Sequence, residues 1–523
     1  MLLQFEGRLP TSKQRVIGAD QDPKKHSLYL GNIMGNGPQV LAIDQGTTSS
    51  RAIVFDLDGS MVSTAQQELD QIYPQPGWVE HDAQEIWERT LDCIRKVLSE
   101  HSAQSVAAIG ITNQRETVVA WDRETMKPLA RAIVWQDRRT ATACQALREA
   151  GHEKEVFRRT GLLLDPYFSA TKMRWLIENE GDVAAAASAG RLAFGTVESW
   201  LVAKLSGGEH ISDASNASRT LLLGLDDHGF SHELCDLFGV PADALPRVVD
   251  THGELALTNP ALLGAAIPIC GLVGDQQSAT IGQGCLSEGE TKATYGTGAF
   301  ILANHGSEIP RSDHRLLSTV LTQRDGKRTY AIEGSVFVAG SLIQWLRDSL
   351  GLISDAAETE ALARSIEDSG EVVIVPALAG LGAPHWRADA RGVITGLSFA
   401  SGKAQIVRAA LESMAYQTYD LATAYANDGA KWECLRIDGG MSANDWLAQD
   451  IADILNIPVE RPHFVETTAL GAAVAAATGV GWFGDLRQAV NAMRGKIDRF
   501  EPAMDSKVRE ERLARWAKAL AAA

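Results

Sequence analysis

Cysteine is scarce in this chain, and basic residues are outnumbered. Its 523 residues include six cysteines (Cys93, Cys144, Cys235, Cys270, Cys285 and Cys434), and no two stand as C-x-x-C. That spacing suggests neither a zinc ribbon nor a redox dithiol and reads as free thiols in a reducing cytoplasm. Lys and Arg number 49 against 66 Asp and Glu, a formal net charge of -17. A phosphate backbone needs a basic face, so the balance argues against a nucleic-acid partner. No H-E-x-x-H or G-x-S-x-G occurs, so those zinc-protease and hydrolase signatures are missing. Long apolar runs are missing too. The most membrane-like stretch, ALGAAVAAATGVGWFG from Ala469 to Gly484, is too short for a span and mostly Ala and Gly. It predicts a closely packed core helix and no membrane span. The first residues have no apolar h-region, so no secretory signal is expected.

What is present is ordinary for a soluble globular protein: 45% hydrophobic and 22% charged residues. The length predicts two large domains. Residues 1–37 are polar and aperiodic, and are expected to be a disordered extension or a misassigned start, with Met34 as an alternative first residue. From Val40 strand and helix signals alternate. VLAID and RAIVFD predict a hairpin, and AAIGIT and TVVAWD two further strands. In AQEIWERTLDCIRKVL, residues Ile86, Trp87, Leu91, Ile94 and Leu98 share one helical side. The second half repeats the theme. GETKATYGTGAFILAN again sets a Gly-Thr turn between apolar runs, VVIVPAL reads as a buried strand, and CLRIDGG as a strand ending in two glycines. KAQIVRAALESMAYQTYDLATAYAND predicts a long helix, and the tail SKVREERLARWAKALAAA an amphipathic helix docked on the body. The fold class is α/β, with a duplicated architecture and a site between the halves.

The chemistry begins at LAIDQGTTSSRAIVFD. Gly46 lets the backbone approach a ligand, and successive N–H groups with the Thr47, Thr48 and Ser49 hydroxyls make a pocket of donors for phosphate oxygens. Asp44 offers a hard oxygen to a magnesium ion, usually through water. The G-K-[ST] lysine of a Walker loop is missing, and a strand follows where that loop would start a helix. TYGTGAF and IDGGMSAND add two more glycine-bearing strand ends, the second with room for a flat adenine at Gly439 and Gly440.

Together with PGWVEHD, NQRET, IVWQDRR, DPYFSATK, NASRT, GDQQSA, GLGAPHW and TTALGAA, these stretches resemble the FGGY family of carbohydrate kinases, which have two ribonuclease-H-like (actin-like ATPase) domains. NQRET with DPYFS and GDQQ resembles the members that act on glycerol. The resemblance covers nearly everything from Val40 to Trp482. It implies an N-terminal domain over 38–285 for glycerol and phosphate, a C-terminal domain over 286–523 for the nucleotide, and an interdomain active-site cleft.

The resemblance also implies roles. Asp275 is the expected catalytic base. Arg115, Glu116, Tyr167 and Gln276 bind glycerol hydroxyls with Asp275, while Trp135 and Phe300 wall its carbons. For Arg115 and Glu116 to reach one ligand, the strand must have ended before them, because neighbouring strand side chains point to opposite faces. Thr47, Thr48, Ser49 and Arg51 hold phosphates, with Thr297 and Gly340 from the second half. Gln344, Gly440 and Asn444 line the other end of ATP or ADP. ATP and Mg2+ are the implied cofactors, glycerol the acceptor, and a homodimer or homotetramer the implied assembly. His81 is expected to make a structural hydrogen bond. His385 and Arg387 depart from the family's pattern in the GLGAPHW loop. Some bacterial members are inhibited by fructose 1,6-bisphosphate through a loop bearing an arginine. Here Gly264 remains but Ala266 stands at the arginine's place, so little inhibition is expected. The alternatives are a kinase of another polyol or ketose, or an actin- or Hsp70-like assembly ATPase.

Overall fold

The computed structural model describes residues 38–523 except 101, 102, 388 and 465. The expectation for 1–37 lies outside the described residues.

The first sheet uses β1 (Gln39–Gln45), β2 (Ser49–Phe55), β3 (Met61–Glu68), β4 (Val106–Asn113), β5 (His252–Leu257) and β6 (Pro268–Gly274). Their order is β5-β6-β4-β1-β2-β3, with β1, β4 and β6 parallel and the rest antiparallel to their neighbours. The second sheet uses β7 (Thr291–Tyr295), β8 (Ala299–Gly306), β9 (Leu317–Arg324), β10 (Lys327–Val336), β11 (Leu435–Asp438), β12 (Val459–Pro462) and β13 (Ile497–Phe500). It runs β9-β10-β8-β7-β11-β12-β13. The core β10-β8-β7-β11-β12 repeats β3-β2-β1-β4-β6: an antiparallel meander, then parallel strands added beside its first member. Both expected Gly-Thr hairpins are there, as β1–β2 and β7–β8. The duplicated ribonuclease-H-like topology is therefore present.

The alternation along β1 shows how the first sheet is buried on both faces. Leu41 and Ile43 join Ile86, Trp87 and Ile94 of helix α1 (Ala83–Glu100) in one core cluster. Val40 and Ala42 join Ala472, Ala473 and Ala476 in another, on the opposite face. Those alanines belong to a helix of the second half, Thr467–Gly479, which contacts β1, β4 and β6. It is the Ala-Gly stretch expected to be a close-packed core helix, and the packing explains its composition. A Cβ on Gly471 would lie 1.9 Å from the Ser278 carbonyl oxygen in helix α2 (Asp275–Gly282), and one on Gly110 2.1 Å from the Ala472 carbonyl oxygen. Larger residues would push the backbones apart.

The long helix of the second half, α3 (Lys403–Asn427), carries the docked tail Ser506–Leu520. Trp516 stacks on Tyr416 at 5.3 Å, and Arg512 pairs with buried Asp450 at 2.6 Å. The tail is anchored by burial, as the amphipathic pattern predicted. No described helix is long and apolar enough to cross a membrane.

Candidate active site

Three parallel strands of the first sheet deliver the polar residues. Asp44 is the penultimate residue of β1, Asn113 ends β4 and Gly274 ends β6. Asp275 then opens α2, its carboxylate accepting from the Gln276 N–H at 2.6 Å. After Asn113 the strand has stopped: Glu116 has φ 62, so Arg115 and Glu116 escape the alternation that would have sent them to opposite faces.

Arg115 is fully enclosed by acceptors. Its Nη1 donates to Glu333 Oε2 at 2.6 Å and to Gln277 Oε1 at 3.2 Å, while its Nε lies 3.1 Å from Asp275 Oδ1. That last approach is an ion-pair contact, not an aligned hydrogen bond. Arg115 lends its charge to Glu116 without a hydrogen bond between them. The two are 3.9 Å apart, and Glu116 Oε1 accepts instead from Arg219 Nε at 2.6 Å. Arg219 Nη2 donates in turn to Glu333 Oε1 at 2.9 Å.

Tyr167 is fixed from below. Lys172 Nζ, fully buried, donates to the carbonyls of Pro166 at 3.2 Å and Tyr167 at 2.6 Å. Trp135 packs edge-on against Tyr167 at 5.7 Å and Phe300 at 6.3 Å, so the expected apolar wall joins residues of both halves. The Trp135 Nε1–H donates to Thr47 Oγ1 at 3.0 Å, tying that wall to the hydroxyl loop. Gln276 Oε1 accepts from Lys292 Nζ of β7 at 2.6 Å.

The electrostatics follow from burial and charge count. Burial raises the Asp275 and Glu116 carboxyls, against the pull of Arg115. Burial also pushes Glu333 up, but Arg115 and Arg219 outweigh it and hold the carboxyl at about 2. Asp44 is raised to about 7, chiefly by burial, with Arg51 opposing and Glu466 and Asp275 adding like charge. A divalent cation would relieve that crowding, and the donors are the hard oxygens it prefers. Among the described residues no three such side chains converge enough to hold a metal alone.

The hydroxyl loop is a tight turn, Gly46 N–H to Ser49 carbonyl at 2.9 Å, with Thr48 exposed and Arg51 paired to Glu466. Its counterpart between β7 and β8 leaves Thr297 exposed, and the Thr297 carbonyl accepts from the Ala339 and Ser341 N–H groups. Gly340 starts the helix Gly340–Asp348, and a Cβ there would sit 2.6 Å from the Gly296 carbonyl oxygen. Gln344 is exposed on that helix. Gly440 has open space where a Cβ would be, whereas Asn444 spends its side-chain oxygen capping the helix Asp445–Leu455 at Leu447 N. His81 makes one long contact, 3.4 Å from Nδ1 to Gln114 Nε2, and burial lowers it to about 4. His385 pairs with Asp420 at 3.0 Å. A cavity of about 550 Å³ lies away from all of these, beside His252, Arg324 and Arg487, and holds none of the expected site residues.

Sequence reasoning missed Glu333, Arg219, Lys172, Lys292 and Gln277. Arg219 and Lys172 lie in NASRT and DPYFSATK, where only the resemblance drew attention. Glu333 and Lys292 sit inside strands and carry no local signal.

Residues 39–282 match the profile described as the FGGY family of carbohydrate kinases, N-terminal domain, and residues 291–480 match that of the C-terminal domain. The chain belongs to the FGGY family of carbohydrate kinases. Within the family, this FGGY kinase is 52% identical to the glycerol kinase of Rhodospirillum centenum over 486 residues, covering 92% of this chain and 97% of that one. The structure of Plasmodium falciparum glycerol kinase with ADP superposes with a TM-score of 0.89 at 34% identity, covering 94% of this chain and 99% of that one. A xylulose kinase of Lactobacillus acidophilus, 20% identical with a TM-score of 0.82 over 92% of this chain and 97% of that one, shares the fold. The two-domain FGGY kinase fold expected from the sequence is the one observed.

Proposed function

We infer that this FGGY kinase transfers the γ-phosphoryl group of ATP to a terminal hydroxyl of glycerol, giving sn-glycerol 3-phosphate and ADP. One observation carries the acceptor assignment. Arg115 stands 3.1 Å from Asp275 and 3.9 Å from Glu116, Gln276 follows Asp275 in α2, and Tyr167 packs on the Trp135–Phe300 wall, an arrangement that suits a three-carbon triol with hydroxyls on one side and carbons on the other. Asp275 accepts a hydrogen bond from the attacking hydroxyl and takes its proton as the new O–P bond forms. The bond from the γ-phosphorus to the bridging oxygen breaks, and ADP leaves. Such general-base help is worth about 10²–10⁴-fold, and in-line positioning supplies much of the rest. The burial that raises the Asp275 carboxyl favours proton uptake there.

Thr47, Thr48, Ser49 and Arg51 would grip the phosphates from the first half, and Thr297 and Gly340 from the second. Gln344, Gly440 and Asn444 would line the far end of the nucleotide. Mg2+, when bound, would neutralise charge building on the phosphate oxygens; Asp44 would hold it, usually through water. We place the acceptor side in residues 38–285 and the nucleotide side in 286–523. We place the kinase in the cytoplasm, as its use of ATP and its free cysteines suggest. A dimer or tetramer is proposed from the family resemblance.

The test is ADP release by the purified chain with MgATP, with and without glycerol and over a panel of polyols and ketoses. Release that needs glycerol and prefers it over the panel is expected. Release that ignores every acceptor would point to an assembly ATPase, and preference for another sugar would move the substrate.

A further inference from the structure

A carboxylate from the second half of the chain meets two arginines of the first. Glu333 lies within β10 of the second sheet and is fully buried. Its two oxygens each receive one arginine of the first half, Arg115 at 2.6 Å and Arg219 at 2.9 Å. The hairpin that bears it is fastened to that half. Tyr330 Oη donates to the Leu225 carbonyl at 2.9 Å, Gln277 Nε2 to Thr319 Oγ1 at 3.0 Å, and the Val320 N–H to Ser218 Oγ at 3.2 Å.

Arg219 spreads the constraint. It holds Glu116 at 2.6 Å, and its guanidinium carbon sits 5.7 Å from the Tyr167 ring centroid and 5.2 Å from that of Phe168. The planar fork permits this, because one guanidinium serves two carboxylates while its face meets two rings. Removing the charge on Glu333 would leave two arginines competing for Glu116 and Asp275. Arg115, already 3.1 Å from Asp275, would then pair with the carboxylate that has to face the acceptor. Buried ion networks of this kind add little stability by themselves, since desolvation offsets the attraction. Their use here is placement.

We propose that Glu333 and Arg219 are positioning residues for the acceptor: Glu333 clamps both arginines, and Arg219 in turn sets Glu116 and the face of Tyr167. The inference rests on the glycerol reading above. It makes the acceptor geometry in the first half depend on a carboxylate from the second.

The experiment is initial-rate kinetics on the full chain for wild type, Glu333→Gln and Arg219→Lys, with thermal melts as a check on folding. Both variants are expected to raise the glycerol KM about tenfold or more. The KM for ATP should stay within about twofold, because none of the residues assigned above to the nucleotide bonds to Glu333 or Arg219. Glu333→Asp, which keeps the charge, should recover part of the loss. A merely structural role would lower the melting temperature and the active fraction without moving the glycerol KM, and that result overturns the proposal. Should Glu333→Gln fail to fold, Arg219→Lys decides alone, and a wild-type glycerol KM in it is fatal. Wild-type kinetics in the variants beside a glycerol-dependent wild type would remove only the positioning role. A wild type indifferent to glycerol would remove the functional reading and this proposal with it.

Discussion

Arg115 is the most heavily committed side chain of the site, with Glu333, Gln277 and Asp275 all within 3.2 Å. On the proposed reading, Arg115→Ala removes a charge-assisted contact to the acceptor, and it leaves buried Glu333 short of one partner. The expected result is a rise in glycerol KM equivalent to about 1.5–3 kcal/mol, with a lower melting temperature. An unchanged glycerol KM would take Arg115 out of the site. A second residue reports through pH. Burial raises Glu198 to about 7, against hydrogen bonds from Ser212 and Thr196. The folded chain thus binds a proton that the unfolded chain releases near pH 4.5. The stability this contributes is full below the unfolded pKa and is lost as pH rises through 7, to a total of about 3 kcal/mol. Glu198→Gln should flatten that part of the stability profile between about pH 4.5 and 7; parallel profiles for variant and wild type would contradict it. At this scale, what was legible in the sequence was whatever sat in a turn beside glycine or another polar residue. Asp44 stood out that way, whereas Arg115, Glu116 and Asp275 drew their roles from the family resemblance. Glu333 did not stand out, because a single acid inside a strand reads as an ordinary alternating residue until its partners arrive from more than a hundred positions away.

At the scale of elements, the Ala-rich helix Thr467–Gly479 has the least freedom. It lies against both α2 and the first sheet, and α2 begins with Asp275. Gly471→Val would force a side chain into the space of the Ser278 carbonyl, 1.9 Å from where its Cβ must go. Overpacking of this kind destabilises by about 1–3 kcal/mol. The displaced α2 should also slow turnover, so melting temperature and kcat are expected to fall together. A fall in one without the other would show that the contact does not position Asp275. The loop at Gly264 offers a different test. Gly264 closes the short helix Pro260–Leu263 at φ 78, and no Lys or Arg occurs between Arg247 and Lys292. Phosphates are best gripped by arginine forks, so fructose 1,6-bisphosphate titrated into the glycerol-dependent assay should inhibit little. Strong inhibition abolished by mutating Gly264 would contradict this. The elements themselves were readable where periodicity was strong: α1, α3, the docked tail and both hairpins. The sheet to which the Ala-rich helix attaches was not readable. Its near-uniform apolar composition has no moment to show which face is covered, and its partner strands lie hundreds of residues earlier.

For the whole molecule, two sheets of repeated topology bring their strand ends and aromatic residues together, so that Trp135 of one half meets Phe300 of the other. The repeat was visible in the sequence as two Gly-Thr hairpins. The cross-connections were not: Lys292 to Gln276, Glu333 to Arg115, and the helix that returns to the first sheet all depend on tertiary contact. The central claim is that phosphoryl transfer goes to glycerol with Asp275 taking its proton. Phosphorus NMR of MgATP with the purified chain, with and without glycerol, tests it most directly when repeated on Asp275→Asn. One glycerol 3-phosphate per ADP is expected from the wild type, with near silence from the variant although glycerol still binds it. Inorganic phosphate formed at the same rate without glycerol, or a variant as fast as wild type, would contradict the account.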